Sequence, residues 1–243
     1  MTGTVPPGTA SEHDAARWVR EMFGRVAPRY DLLNHLLSFN VDRYWRAKTV
    51  MRVAHVLRRP GVRALDICCG TGDLMLALEV GAGQAVFGSD FCHPMLAAAK
   101  AKAVRGGFRS QVFEADALAL PLAGQSVDLV TVAFGFRNLA NYEAGLREML
   151  RVLRPGGVAA ILEFSRPRNA VLRAFYSFYS RRLLPVIAGV ISGSRDAYTY
   201  LPESVRKFPC AEELAEAMRQ AGFRGVGFEY MTGGIVALHL GSV

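Results

Sequence analysis

Gly70, Thr71 and Gly72 follow an apolar run that contains Asp66, and a helical pattern follows them. Glycine has no Cβ, so a Gly-Thr-Gly turn lets backbone approach a ligand closely. The helix start behind the turn presents amide N–H groups with no partner inside the helix. This combination is suited to holding a nucleotide-like cofactor.

Which cofactor is narrowed by what surrounds the turn. A dinucleotide fingerprint requires a third glycine three residues after the second. That place is Met75, and no Gly-Lys-Ser/Thr phosphate loop occurs. Asp90 follows a second apolar run, where a carboxylate is placed to accept from two ribose hydroxyls. Asp116 and Ala117 follow a third run, where a short acidic side chain can face an adenine amino group. For Asp66 a structural turn or cap carboxylate is the alternative to ligand contact.

These positions need strands that end together. From Val62 onward the chain alternates strand-like and helix-like segments. Strands are expected at residues 64–67, 85–89, 110–113, 127–133 and 158–162, with helices at 73–78, 94–105 and 142–153. Residues 127–133 are mainly apolar, with only Asp128 and Thr131 interrupting, as in a parallel strand buried on both faces. After residue 163 a long aromatic and basic stretch breaks the alternation. A helix at 212–221 and two strands at 226–230 and 236–240 around Thr232-Gly233-Gly234 then close the sheet. The pattern predicts an α/β fold with a doubly wound, mostly parallel, seven-stranded Rossmann-like sheet, which binds ligands at the carboxyl ends of its strands. The expected organisation is a flexible tail at 1–10, an N-terminal helical segment at 11–60, and a domain at 61–243 with a helical lid insertion at about 166–207.

The 243 residues suffice for one such domain with appendages. No apolar stretch is long enough to cross a bilayer as a helix, and the N-terminus lacks the basic-then-apolar pattern of an export signal. Cys68, Cys69, Cys92 and Cys210 form no CxxC pair, so reduced thiols in a cytoplasmic protein and no metal site are expected. The net charge of +8 is uneven: residues 1–60 carry +5 and 164–207 carry +6, whereas 61–163 carry −1. The excess lies outside the cofactor-binding stretch and is interleaved with bulky apolar side chains. A solvated basic surface, an anionic membrane and nucleic acid are the readings this permits.

The order of Asp66, the glycine turn, Asp90, Asp116-Ala117 and Pro155-Gly156-Gly157 resembles class I S-adenosylmethionine methyltransferases over about residues 50–243. Cys68 stands where that family's first turn glycine is expected. Longer strings sharpen the resemblance. Tyr30-Asp31-Leu32-Leu33-Asn34, Gly135-Phe136-Arg137-Asn138 and Glu163-Phe164-Ser165-Arg166-Pro167 together resemble the ubiquinone/menaquinone biosynthesis C-methyltransferase family across nearly the whole chain. The resemblance implies methyl transfer from S-adenosylmethionine to a ring carbon of a reduced polyprenyl quinone. A demethylmenaquinol substrate is preferred, and a ubiquinone precursor is the alternative.

On that resemblance Asp66, Gly70, Thr71, Gly72, Asp90, Asp116 and Ala117 are expected at the cofactor. Arg137 is expected to stabilise a developing phenolate, Asn138 to fix a quinol oxygen, and Tyr30 to orient the ring or relay a proton. His93, three residues after Asp90, reads as a helix-start surface residue rather than a base. Residues 170–191, rich in Phe, Tyr, Leu and Arg, read either as a packed lid or as a tunnel wall resting on the inner face of the cell membrane. An RNA methyltransferase would want a basic solvent-facing stripe or an added RNA-binding domain, and neither is evident, so no nucleic-acid partner is expected. A homo-oligomer is left open.

Overall fold

The computed structural model describes residues 3–178 and 195–243. Three helices precede the sheet: α1 (Glu12–Val26), α2 (Tyr30–Leu37) and α3 (Val41–Leu57). Ser11 caps α1, its hydroxyl accepting from the Asp14 N–H at 3.1 Å, and so satisfies one of the helix's open donors. The sheet elements follow as β1 (Ala64–Ile67), α4 (Asp73–Ala82), β2 (Phe87–Asp90), α5 (His93–Arg105), β3 (Gln111–Glu114), β4 (Val127–Ala133), α6 (Tyr142–Val152) and β5 (Leu153–Phe164). The insertion contributes α7 (Ala170–Phe178) and α8 (Arg195–Lys207). Helix α9 (Ala211–Ala221) and strands β6 (Arg224–Met231) and β7 (Val236–Ser242) complete the chain.

The seven strands lie in the order β3-β2-β1-β4-β5-β7-β6. All neighbours are parallel except β7, which runs antiparallel to both β5 and β6. The order reverses direction at β1, and its two flanks diverge there. This makes the carboxyl ends of β1, β2 and β4 the ligand-binding crevice. Period-two alternation sends Leu65 and Ile67 into one core with α6 and α9, and Ala64 into the other with α3 and α4.

Two expectations need adjustment. β5 begins at Leu153, not 158, because Leu153 pairs with Val127 before a register shift absorbs the Pro-Gly-Gly turn. Residues 3–6, expected to be flexible, are docked: the Thr4 N–H donates to the Leu139 carbonyl at 2.8 Å, and Thr4 and Pro6 are buried. Most of the aromatic run at 170–191 lies outside the described residues.

Candidate active site

The turn after β1 is more contorted than a glycine turn requires. Cys68 has φ +49°, Gly70 +55° and Gly72 +86°. Left-handed backbone costs an L-residue with a side chain roughly 1–2 kcal/mol, so Cys68 holds without help a conformation glycine would hold freely. The turn is tied to β2 through the Cys69 N–H, which donates to the Ser89 carbonyl at 2.9 Å.

Asp90 ends β2 and sits beside this turn. One carboxylate oxygen accepts from the Gly70 N–H and the other from the Cys92 N–H, both at 2.9 Å. An ionised carboxylate offers about four acceptor positions, so each oxygen keeps capacity for a hydroxyl. Burial raises its pKa, and the amides of Cys92, Gly70 and Phe91 oppose that rise. Asp116 is exposed, and its Oδ1 accepts from the Leu118 N–H at 2.9 Å, which fixes the turn that carries Ala117.

A cavity opens between these ends. Gly70, Asp90, Asp116 and Ala117 line one part, with Cys68 and Met95. Phe23, Tyr30, Phe134, Asn138 and Leu139 also line it. Four of the seven expected cofactor residues and two of the three expected catalytic ones thus line one cavity.

The other three cofactor candidates act behind the wall. Asp66 is 1% exposed and accepts from the Thr131 hydroxyl at 2.6 Å. Burial pushes its pKa up to about 7, against that bond and the charge of Arg46. Gly72 caps α4. The Thr71 hydroxyl donates to Asp31 of α2. Asp31 also pairs with Lys102 at 2.6 Å, and Lys102 pairs with Asp73 at the same distance. His35 lies 2.9 Å from Asp42 and 3.6 Å from Asp73, and Arg46 pairs with Asp42. This charge network ties α2 and α3 to the glycine turn and so holds Tyr30 over the cavity. No signal in the sequence identified it, because its members come from four separated segments.

Tyr30 has its hydroxyl beside Asn34, and burial raises its pKa despite nearby Arg137 and Arg46. The hydroxyl therefore holds its proton more firmly than an ordinary tyrosine does. Arg137 differs from expectation. It does not line the cavity. It is 5% exposed, and its Nη1 donates to Glu163 at 2.9 Å and also to the Phe134 carbonyl. Its guanidinium lies 5.2 Å from the centre of the Phe164 ring. Desolvation is the largest single effect and would lower its pKa, but Glu163 together with Tyr30 and Tyr200 outweighs it, and the pKa is raised. A guanidinium committed to a buried carboxylate is a poor primary partner for a phenolate.

Asn138 is on the wall, and a residue given no role from sequence orients it. The Tyr200 hydroxyl of α8 donates to Asn138 Oδ1 at 3.0 Å and lies 2.7 Å from the Thr4 hydroxyl. The Tyr200 ring packs on Trp18 with centroids 5.1 Å apart. With its carbonyl so engaged, the Asn138 amide turns its N–H side elsewhere, one contact being the Phe134 carbonyl at 3.4 Å. His93 is three-quarters exposed, pairs with Glu114 at 3.1 Å and does not line the cavity.

The donor set fits S-adenosylmethionine. A buried carboxylate with spare acceptor capacity, a glycine without a side chain and an acidic turn share one cavity.

The sequence pattern of the ubiE/COQ5 methyltransferase family matches residues 10–243. The chain is 48% identical to a demethylmenaquinone methyltransferase of Thermus thermophilus, over 90% of this chain and 99% of that one. It is 44% identical to one of Deinococcus radiodurans, over 99% of both. It is 45% identical to a ubiquinone/menaquinone biosynthesis C-methyltransferase of Syntrophotalea carbinolica, over 91% of this chain and 92% of that one. Among solved structures, the cyclase SpnF superposes with a TM-score of 0.67 at 22% identity, covering 96% of this chain and 80% of that one. A SAM-dependent methyltransferase of Archaeoglobus fulgidus superposes with a TM-score of 0.63 at 16% identity, covering 88% and 99%. Those two share the class I methyltransferase fold with this chain, and the near-complete sequence matches settle the rest: the chain belongs to the ubiE/COQ5 methyltransferase family.

Proposed function

We propose that this protein transfers a methyl group from S-adenosylmethionine to a ring carbon of demethylmenaquinol, yielding menaquinol. The observation that carries the substrate is the near full-length identity of 44–48% to relatives named for that reaction. The relative whose name covers both quinones keeps a ubiquinone precursor as the second reading.

When bound, S-adenosylmethionine supplies a sulfonium methyl that is already electrophilic. Asp90 would hold its ribose hydroxyls, with Gly70, Asp116 and Ala117 around the rest of the adenosyl group. What remains for the chain is alignment of the ring carbon, which bonds the methyl as the methyl–sulfur bond breaks to leave a neutral thioether, and release of the phenolic proton to solvent. The Asn138 amide donates to a quinol oxygen and sets the ring's rotation. Tyr30, held protonated, donates to the same region and stabilises charge that develops on the oxygen. Arg137 serves as a positioning residue: its pairing with Glu163 fixes the segment that carries Asn138. Phe23, Phe134 and Leu139 keep water from the ring.

A polyprenyl substrate resides in a bilayer, so peripheral contact at the inner face of the cell membrane is part of the proposal. No described helix is long and apolar enough to cross a membrane. Mass spectrometry of quinones from cells lacking the protein tests the reading. Accumulated demethylmenaquinone, reversed on restoring the gene, is the expected result. An accumulated ubiquinone precursor would select the second reading, and an unchanged quinone profile would reject both.

A further inference from the structure

The N-terminal helices have two faces with different business. Inward, α2 presents Tyr30 to the cavity, Leu33 to a core with Val19, Met22 and Met95, and Asp31 to Thr71. Outward, the same helix and the turn after it present Leu32 at 61% exposure, Leu36 at 46% and Phe39 at 75%. Leu32 and Leu36 are four residues apart and so form one stripe, and Arg29 is the residue just before the helix. Phe39 and Asn40 end the helix with φ of +53° and +60°. The Asn40 N–H donates back to the His35 carbonyl at 2.8 Å, in the bonding pattern of a helix stop that normally carries glycine.

Charge specifies what covers this face. From residue 22 to 60 the chain has eight Lys and Arg residues and two acids. Both acids are already engaged: Asp42 is buried against Arg46 and His35, and Asp31, about a third exposed at 34%, is held by Thr71 and Lys102. Arg25, Arg29 and Arg43 are exposed and precede and follow the apolar stripe in the chain. Apolar side chains accompanied by exposed arginines, in a segment with a strong excess of basic over acidic residues, match an interface of acyl chains beneath anionic headgroups.

We infer that the outward face of α2 and the α2–α3 turn is the bilayer-docking surface, inserting Leu32, Leu36 and Phe39 into an anionic leaflet with Arg25, Arg29 and Arg43 at its phosphates. This deepens the quinol reading, on which it rests for a reason to meet a bilayer, and assigns the contact to a different segment from residues 170–191. Because α2 carries Tyr30 on its other side, docking places the cavity wall one helix diameter from the lipid.

Flotation of the full chain with vesicles of phosphatidylcholine, with and without phosphatidylglycerol, tests the assignment. Binding is expected only with phosphatidylglycerol and is expected to weaken with salt. The double variant Leu36→Ser/Phe39→Ser should bind at least about tenfold more weakly, while its melting temperature and its affinity for S-adenosylmethionine stay unchanged. A tryptophan placed by Phe39→Trp should be quenched by brominated lipid. Equal flotation of parent and double variant, or an unquenched tryptophan, would overturn the assignment. So would a dimer in light scattering that the double variant abolishes without any vesicle binding, since the face would then join two copies. Methyl transfer to a short-chain quinol dispersed in solution separates the two ideas. Parent activity there with unaltered variant flotation sinks only the docking face, and no transfer to any quinol sinks the functional reading.

Discussion

The Cβ of Cys68 occupies the space that a side chain on Gly135 would need: a methyl group built on Gly135 comes within 2.5 Å of it. The residue that departs from the expected glycine turn is thus accommodated by a glycine after β4, sixty-seven positions away in sequence.

This pair predicts non-additive energetics. Gly135→Ala should destabilise the protein by about 1–3 kcal/mol through overpacking. Cys68→Gly should be close to neutral, since relief of roughly 1 kcal/mol of left-handed backbone strain is offset by a more flexible unfolded chain. In the Cys68→Gly background the cost of Gly135→Ala should largely vanish. Urea melts of the four proteins measure the coupling, and additive effects would mean that the two residues do not share this space.

Asp90→Asn should weaken S-adenosylmethionine binding by about a hundredfold or more, because hydrogen bonds to a charged acceptor are each worth roughly 1.5–3 kcal/mol. Calorimetry reads this directly. Asn keeps one acceptor for the Gly70 or Cys92 amide, so the turn should survive. Unaltered affinity would move the ribose contact elsewhere.

Asp66 predicts a pH dependence of stability opposite to that of a salt-bridged acid. Its folded pKa, raised to about 7, lies above its ordinary value of 3.8. Between these values the native state holds a proton that the unfolded chain has lost. Its contribution to stability is therefore full below about pH 4 and is lost as pH rises toward 7, by about 1.4 kcal/mol per pH unit. Asp66→Asn keeps an acceptor for Thr131 and should flatten that part of the stability profile. Parallel profiles for the two proteins would show that Asp66 does not titrate there.

Glu163→Gln should cost about 3–5 kcal/mol, because it leaves the buried guanidinium of Arg137 without its counter-charge. Arg137→Ala should likewise lower the melting temperature and slow methyl transfer while leaving cofactor affinity intact. If Arg137→Ala slowed transfer with no loss of stability, the guanidinium would belong at the substrate after all.

Tyr200→Phe removes the donor that holds Asn138 Oδ1. With the ring still packed on Trp18, the fold should persist, and the loss should appear in turnover rather than in cofactor binding. Single-turnover rates at saturating S-adenosylmethionine measure it, and an unchanged rate would remove Tyr200 from the positioning residues.

By itself the sequence determined the sheet and its crevice. Residues 64–67 and 127–133 coincide with β1 and β4, because burial on both faces leaves a mainly apolar signature, broken only at Asp66, Asp128 and Thr131, and turn glycines mark where strands stop. The same local signals placed Gly70, Asp90 and Asp116 together, since each follows its own strand in a repeating unit. Helix and strand ends were read less well, as at Leu153, where pairing with Val127 rather than local propensity sets the boundary. Only the tertiary structure decided which charges neutralise which. Glu163 on β5 takes Arg137 out of the cavity, and Tyr200 on α8 orients Asn138. Thr71 serves as an anchor for α2 rather than as a wall of the cavity. Such pairings depend on distances between segments far apart in the chain. Long side chains pair with whatever packing brings within about 3 Å, and no periodicity along one strand or helix records that.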